Sequence, residues 1–329
     1  MTKFSQIRLG IVAAIFLALA GGFAPKPALA EDFTAWLTAL RSEAEAKGIR
    51  PEILDAALQD VEPLPRVVEL DRSQPEFTLT FEEYLARVVP PKRVEKGRAK
   101  LQQNYALLKE VSARYGVQPR FVVALWGIET DFGRLTGGFS VVQALVTLAY
   151  DGRRSAFFRK ELLAALQILN EGHIAPAAMT GSWAGAMGQS QFMPTTFLGF
   201  AVDHDGDGKR DIWTSQGDVF ASAANYLSKS GWRGDETWGR AVRLPEGFDS
   251  SLIGLDVEKP IREWQALGVR RANGKDLPKA DMRGSIVTAT DGAGPAYLVY
   301  GNYRALLTWN RSTFFAVAVG TLADRIGGR

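Results

Sequence analysis

The sequence predicts a mainly α-helical protein with a small β-containing segment between about residues 241 and 300. Apolar residues recur at helical spacing over most of the chain, and glycine-rich turns at residues 137–138, 181–188 and 203–208 punctuate a helical block running from 121 to 232. Extended character gathers late, at residues 285–289 and 297–300.

Taken in order, residues 1–30 have the layout of a cleaved export signal. Lys3 and Arg8 precede an apolar run from Leu9 to Ala20, and Ala28-Leu29-Ala30 supplies the small-residue exit. A membrane span needs about 20 apolar residues, so an uncleaved anchor is the weaker reading. Trp36, Leu37 and Leu40, then Ile53, Leu54, Ala57 and Leu58, predict two short helices separated by Gly48 and Pro51. Residues 61–77, with Pro63, Pro65 and Pro75, read as an irregular connector. A long solvated helix is expected from about 92 to 115, ending at Gly116 before Pro119. Beyond the central block, residues 241–260 are loop-rich with room for one short strand, and helix returns at 312–326.

Composition narrows the chemistry. The 329 residues include no cysteine and two histidines, His173 and His204, which excludes disulfides, a lipid-modified cysteine, a Cys nucleophile, iron-sulfur clusters and multi-histidine zinc sites. At 46% hydrophobic and 23% charged the chain can bury a globular core. Its net charge of +3 comes entirely from Lys3, Arg8 and Lys26, because the remaining residues balance at 36 basic and 36 acidic. No general attraction to nucleic acid follows.

One carboxylate stands out. At about 100° per residue, Phe121, Leu125, Ile128 and Phe132 share one direction, and Glu129 falls at about 80°, between Leu125 and Val122. A carboxylate among core-facing residues is either paired with a cation or kept partly protonated, and the second state is what a general acid needs. The structural alternative is a bond to Arg153, Arg154 or a nearby turn. Asp131 lies about 160° away on the same helix, so the two are not the facing carboxylates of an ordinary glycosidase, and Asp131 is expected near the helix end as a solvated or capping residue.

The string from Ala124 to Gly133, ALWGIETDFG, resembles the catalytic segment of the lytic murein transglycosylase B family, glycoside hydrolase family 103. Residues 181–194, GSWAGAMGQSQFMP, resemble its second signature. The resemblance implies a lysozyme-like core acting on peptidoglycan, cleaving the β-1,4 bond between N-acetylmuramic acid and N-acetylglucosamine and leaving a 1,6-anhydromuramic end. It implies Glu129 as the sole acid/base, with substrate contacts from Tyr84, Arg153, Arg154, Ser182, Gln191, Phe192, Met193, Asn225, Tyr226 and Asn310. Where that family often carries a tyrosine before Asn310, this chain has Trp309. Without the family, Gly185, Ala186 and Gly188 read as close packing and a tight turn, and Phe192, Met193 and Tyr226 as core.

Residues 203–214 place Asp203, Asp205, Asp207 and Asp211 at positions 1, 3, 5 and 9 of a twelve-residue loop, with Gly208 at position 6 and Lys209 at the backbone-carbonyl position 7. This is the spacing of an EF-hand calcium loop, except that Thr214 replaces the terminal glutamate. The resemblance adds Asp218 as a further ligand. A structural calcium ion is therefore expected, and no cofactor for catalysis; the alternative is a solvated turn partly neutralised by Lys209 and Arg210. The run from Phe200 to Asp205 also faintly resembles the nucleophile strand of aspartate-based phosphatases, but Asp207 and the helical surroundings argue against it.

The expected organisation is an export signal (1–30), an N-terminal helical region (31–105), a lysozyme-like catalytic core with the acidic loop (106–240), a small mixed subdomain (241–300) and a return to the core (301–329). The partner is the peptidoglycan glycan strand, met in the periplasm by a soluble monomer. The rivals are a hydrolytic muramidase and a noncatalytic peptidoglycan-binding protein.

Overall fold

The computed structural model describes residues 32–73, 79–290 and 292–328, so the expected export signal lies outside the described residues. The chain opens with α1 (Phe33–Ala46), α2 (Pro51–Leu58), α3 (Pro65–Ser73), α4 (Phe81–Val88), α5 (Pro91–Gln103), α6 (Tyr105–Tyr115) and α7 (Pro119–Thr130). Next come β1 (Phe139–Ser140), α8 (Val141–Tyr150), α9 (Ser155–Asn170), β2 (Thr180–Gly181), α10 (Pro194–Phe200) and α11 (Gln216–Lys229). The last part holds β3 (Gly239–Arg243), β4 (Lys259–Pro260), α12 (Ile261–Ala266), β5 (Arg270–Arg271), β6 (Arg283–Thr290), β7 (Ala293–Val299), α13 (Gly301–Trp309) and α14 (Thr313–Ile326). Among the described residues no helix is long and apolar enough to cross a membrane.

The chain divides into two compact units, with boundaries between α3 and α4, inside α7 and inside α11. The described part of the first is 32–73 and 129–223. It is built on the neighbours α8 and α9, which α2, α3 and α10 pack against. The sequence of α8 is almost wholly apolar, and eight of its residues from Val141 to Ala149 are buried; each large aliphatic side chain there removes about 1.5–3 kcal/mol worth of surface from water. Ser140 starts the helix by accepting from the Gln143 amide. In α9, Glu161 is buried but satisfied, accepting from the amide and hydroxyl of Thr195 at 2.9 and 2.7 Å at the start of α10.

The second unit, 79–128 and 224–328, combines helices with a five-stranded antiparallel sheet in the order β4-β6-β7-β3-β5. Its sheet core gathers Val242, Ile261, Trp264, Val269, Leu277, Ile286, Leu298 and Tyr300, and the Trp264 indole donates to Gly284 O at 2.8 Å. On the helical side α14 is buried from Phe315 to Ala323, and its Gly320 lies against Trp238, where an added Cβ would stand 2.2 Å from the ring. Trp238 and Arg120 both donate to Asp324, at 2.9 and 2.8 Å, so the indole cannot easily move aside. Gly320→Ala is expected to lower stability by about 1–3 kcal/mol, the usual cost of overpacking, read as a lower denaturation midpoint at unchanged slope.

Two expectations are corrected. The stretch 61–77 is not wholly irregular: Pro65, which lacks an amide hydrogen, opens α3, and Val67 and Asp71 are buried on it. The long helix expected over 92–115 is two helices, because Asn104 (φ −109°, ψ 16°) leaves helical geometry between α5 and α6. Its end is as expected, with Gly116 in the left-handed conformation at φ 70°. The two N-terminal helices, the strands near 240, 285 and 297, and the final helix stand where the sequence places them. The helix α4 was not anticipated; Thr80 and Glu83 form a capping box at its start.

Candidate active site

The helix α7 is buried along its whole last ten residues rather than on one face, from Phe121 to Thr130. Glu129 is 3% exposed in the final turn. The chain then turns sharply: Asp131, Phe132 and Gly133 take φ of 50°, 61° and 79° in succession, a left-handed run that only glycine adopts without strain. Thr130 holds this turn. Its hydroxyl accepts from the Gly133 amide at 3.1 Å and donates to Gln189 O at 3.0 Å, tying the end of α7 to the second signature segment. Asp131 accepts from Arg134 Nε at 2.6 Å, consistent with its expected place at the helix end.

The segment 181–194 is a folded-back loop fixed by its own backbone. Gly181 pairs with Phe139 across β1 and β2, and Met187 and Phe192 exchange both amide hydrogen bonds at 2.8 and 3.2 Å. Gly185 and Gly188 take φ of 87° and 61°, and a Cβ on either would collide with Leu145 or with Ile212 O at 2.5 Å. Both glycines thus serve turn and close packing, as their spacing suggests. Ser182 Oγ accepts from the Ala186 amide at 3.0 Å, and Gln191 Nε2 donates to Gly188 O and Thr136 O at 2.9 and 3.2 Å. Ser182, Gln191 and Phe192 are buried, and Met193 caps α10 half-buried.

The arginine pair separates by environment. Arg153 makes a fork-to-fork bond with the buried carboxylate of Asp71, Nε and one Nη each at 2.5 Å. Hydrogen bonding to Asp71 holds its pKa above the usual arginine value. Arg154 instead stacks over Phe157 and Phe158, at 4.7 and 5.1 Å, and desolvation there pulls its pKa down. The contacts of the pair thus go to Asp71 and to the two phenylalanine rings. Asp71 escaped the sequence reading because it sits on α3, where no helix was expected.

All these residues belong to the first unit with Glu129. Tyr84, Asn225, Tyr226 and Asn310 belong to the second. There Tyr226 Oη donates to Thr308 O at 2.6 Å, and its ring meets Trp309 edge-to-face at 5.0 Å. Asn310 ends α13, its Oδ1 accepting from the Ser312 amide at 3.0 Å, and Tyr84 packs on Phe314. Replacing the tyrosine hydroxyl by an indole at 309 thus leaves an aromatic platform whose neighbour Tyr226 keeps a hydroxyl.

The acidic loop folds as a nest of side-chain to backbone turns. Oxygens of Asp203, Asp205 and Asp218 lie within 4.8 Å of one another. Asp203 accepts from the Gly206 and Gly208 amides at 2.6 and 2.9 Å; desolvation opposes ionisation, but the loop amides outweigh it and hold Asp203 below the usual carboxylate range. Burial pushes Asp218 up despite bonds from the His204 and Asp211 amides. Asp207 lies outside this cluster, accepting from the Lys209 amide at 2.8 Å, and Asp211 caps the next turn at Trp213 and Thr214. Three carboxylates forming an all-oxygen set suit a hard divalent cation. Arg210 anchors the loop through Glu171 at 2.5 Å and His173 at 3.0 Å, and burial together with the Arg210 guanidinium keeps His173 below its ordinary pKa.

Thr130→Val keeps the volume but deletes the hydroxyl bridging the two signature segments. It is expected to cost about 1–3 kcal/mol of stability, with Thr130→Ser closer to the parent in thermal melts.

A model of the transglycosylase SLT domain matches residues 32–324. The chain is 31% identical over 258 residues to the membrane-bound lytic murein transglycosylase B of Escherichia coli K12, covering 74% of this chain and 66%, just under two thirds, of that relative. The crystal structure of SltB3 from Pseudomonas aeruginosa in complex with NAG-anhNAM-pentapeptide is 49% identical, with a TM-score of 0.87 over 91% of this chain and 80% of that one. The Escherichia coli lytic transglycosylase Slt35 in complex with calcium is 26% identical, with a TM-score of 0.75 over 90% and 92%. With the match running across nearly every described element and both signature segments, the chain belongs to the transglycosylase SLT-domain family.

Proposed function

We propose that this chain is a lytic transglycosylase of peptidoglycan, cleaving the β-1,4 bond between N-acetylmuramic acid and N-acetylglucosamine with formation of a 1,6-anhydromuramic end. The observation that carries the assignment is Glu129, a carboxylate buried at the end of α7 whose neighbour Thr130 bonds the second signature segment. Glu129 gives its proton to the glycosidic oxygen as the C1–O bond breaks. It then takes the proton of the muramic C6 hydroxyl as that oxygen bonds to C1, so no water enters and the carboxyl group returns to its starting state. In the first unit Ser182, Gln191, Phe192 and Met193 are the proposed sugar contacts; in the second, the rings of Tyr226 and Trp309 offer faces to sugar, with Tyr84, Asn225 and Asn310 as further contacts. Arg154 offers its charge to acidic substituents, with Arg153 held beside it by Asp71.

Asp203, Asp205 and Asp218, with support from Asp207 and the Lys209 carbonyl, would hold one calcium ion that stiffens the loop and takes no part in the chemistry. The catalytic core spans 106–240 and the mixed subdomain 241–300. Export follows from residues 1–30, and the protein works as a monomer in the periplasm.

Mass spectrometry of the products from intact sacculi tests the assignment. Muropeptides lighter by one water than the hydrolytic products are expected; reducing ends would make the chain a muramidase, and no products would favour a binding protein.

A further inference from the structure

Two arginines lie on the buried face of the sheet. In the β3–β5 pairing Val242 stands opposite Arg271, and Arg240 precedes Val242 by two residues, so Arg240, Val242 and Arg271 share one face. That face is the core side, where Val242 packs with Ala296, Leu298 and Tyr300. Diagonal neighbours in such a ladder stand about 7–8 Å apart, and like charges there repel. Among the described residues neither arginine forms an ion pair, whereas Arg270, on the other face, pairs with Asp276 at 3.4 Å.

Their surroundings supply donors without an acceptor of negative charge. Arg240 Nε donates to Tyr300 Oη at 2.8 Å, and its guanidinium lies 5.6 Å from the same ring. Tyr300 is 1% exposed, and with its oxygen accepting from Arg240 its own proton remains to be given. Burial pushes the Tyr300 phenol up, and both guanidiniums act against that shift, so both bear on the same point. Arg271 Nε is sealed from solvent with no hydrogen-bond partner, while both arginines as whole residues are half-buried. Burying guanidinium groups without a counter-ion is unfavourable unless something else neutralises them.

We propose that Arg240, Arg271 and the Tyr300 hydroxyl form a site for a free carboxylate of the peptidoglycan stem peptide. The inference rests on the proposed substrate. Planar guanidinium forks match a carboxylate in shape as well as charge. Where a stem peptide is attached, the muramic lactyl carboxyl is tied up in the amide bond, so the free carboxylates of peptide-bearing substrate reside on its peptides. The site would add a peptide contact remote in sequence from both signature segments.

Isothermal titration of the full chain with stem tetrapeptide released from sacculi, and with the same peptide after amidation of its carboxylates, tests this. The free peptide is expected to bind at least about tenfold more tightly than the amidated one, the worth of a charge-assisted bond, and Arg271→Gln to erase that difference. Removing one of two repelling charges should leave the melting temperature of Arg271→Gln level or higher, and cleavage of peptide-free glycan strands unchanged. Arg240→Gln serves as the second variant and should also erase the preference. Equal binding of the two peptides, an Arg271→Gln variant that keeps the preference, or displacement by inorganic phosphate at matching affinity would each overturn the site. Peptide binding that persists while the parent leaves peptide-free strands intact would uphold the site and count against the proposed activity alone.

Discussion

Glu129→Gln is expected to reduce cleavage of sacculi by about 10²–10⁴-fold, the range a positioned general acid supplies. Glutamine keeps the shape of the side chain and its capacity to accept, but it can neither protonate the leaving oxygen nor take the C6 proton. The effect should appear in turnover, with affinity for glycan strands retained, because the sugar contacts are made by other residues. Release of anhydromuropeptides followed by mass spectrometry, beside binding to sacculi in a pull-down, separates the two. Full turnover by the variant would remove Glu129 from the chemistry. Because Glu129 is buried, a gain in stability is expected alongside the loss of activity.

Calcium is expected to produce the largest change in stability. A ligand present at about 100 times its dissociation constant stabilises by about 2.7 kcal/mol, and a chain of this size gains about 1–2 °C per kcal/mol, so chelator-treated protein should melt about 3–5 °C higher once calcium is restored. Asp218→Asn should abolish most of the response, because Asp218 is the most deeply buried member of the cluster, at 1% exposure. The pH dependence has a definite sign. Burial raises the Asp218 pKa, so protons compete with the cation above the range of an exposed aspartate, and the calcium shift should shrink on acidification from there. In the calcium-free protein the folded state favours the protonated form, so that contribution to stability is present at low pH and is lost as pH rises through the raised value. Scanning calorimetry with and without chelator across this range reads both effects, and identical melts would dispose of the cation.

The sequence alone placed Glu129 among core residues and located the glycine turns, because helical periodicity and positive-φ positions are local properties that a short window of residues encodes. It also marked Asp203 and Asp205 by spacing, since a ligand loop is a local motif. The family likeness then added Asp218. What periodicity missed was decided by partners far away in the chain. Residues 65–73 became a helix because Val67 and Asp71 found burial, and Asp71 found Arg153 some eighty positions later. Two adjacent arginines that look equivalent in sequence were divided into one ion-paired and one ring-stacked side chain by what folded beside them. The closeness of Arg240 to Arg271 is likewise invisible until strand register sets them on one face. Local order follows from neighbouring residues, whereas the state of each charge depends on which groups tertiary packing brings within hydrogen-bond reach and how much water it removes.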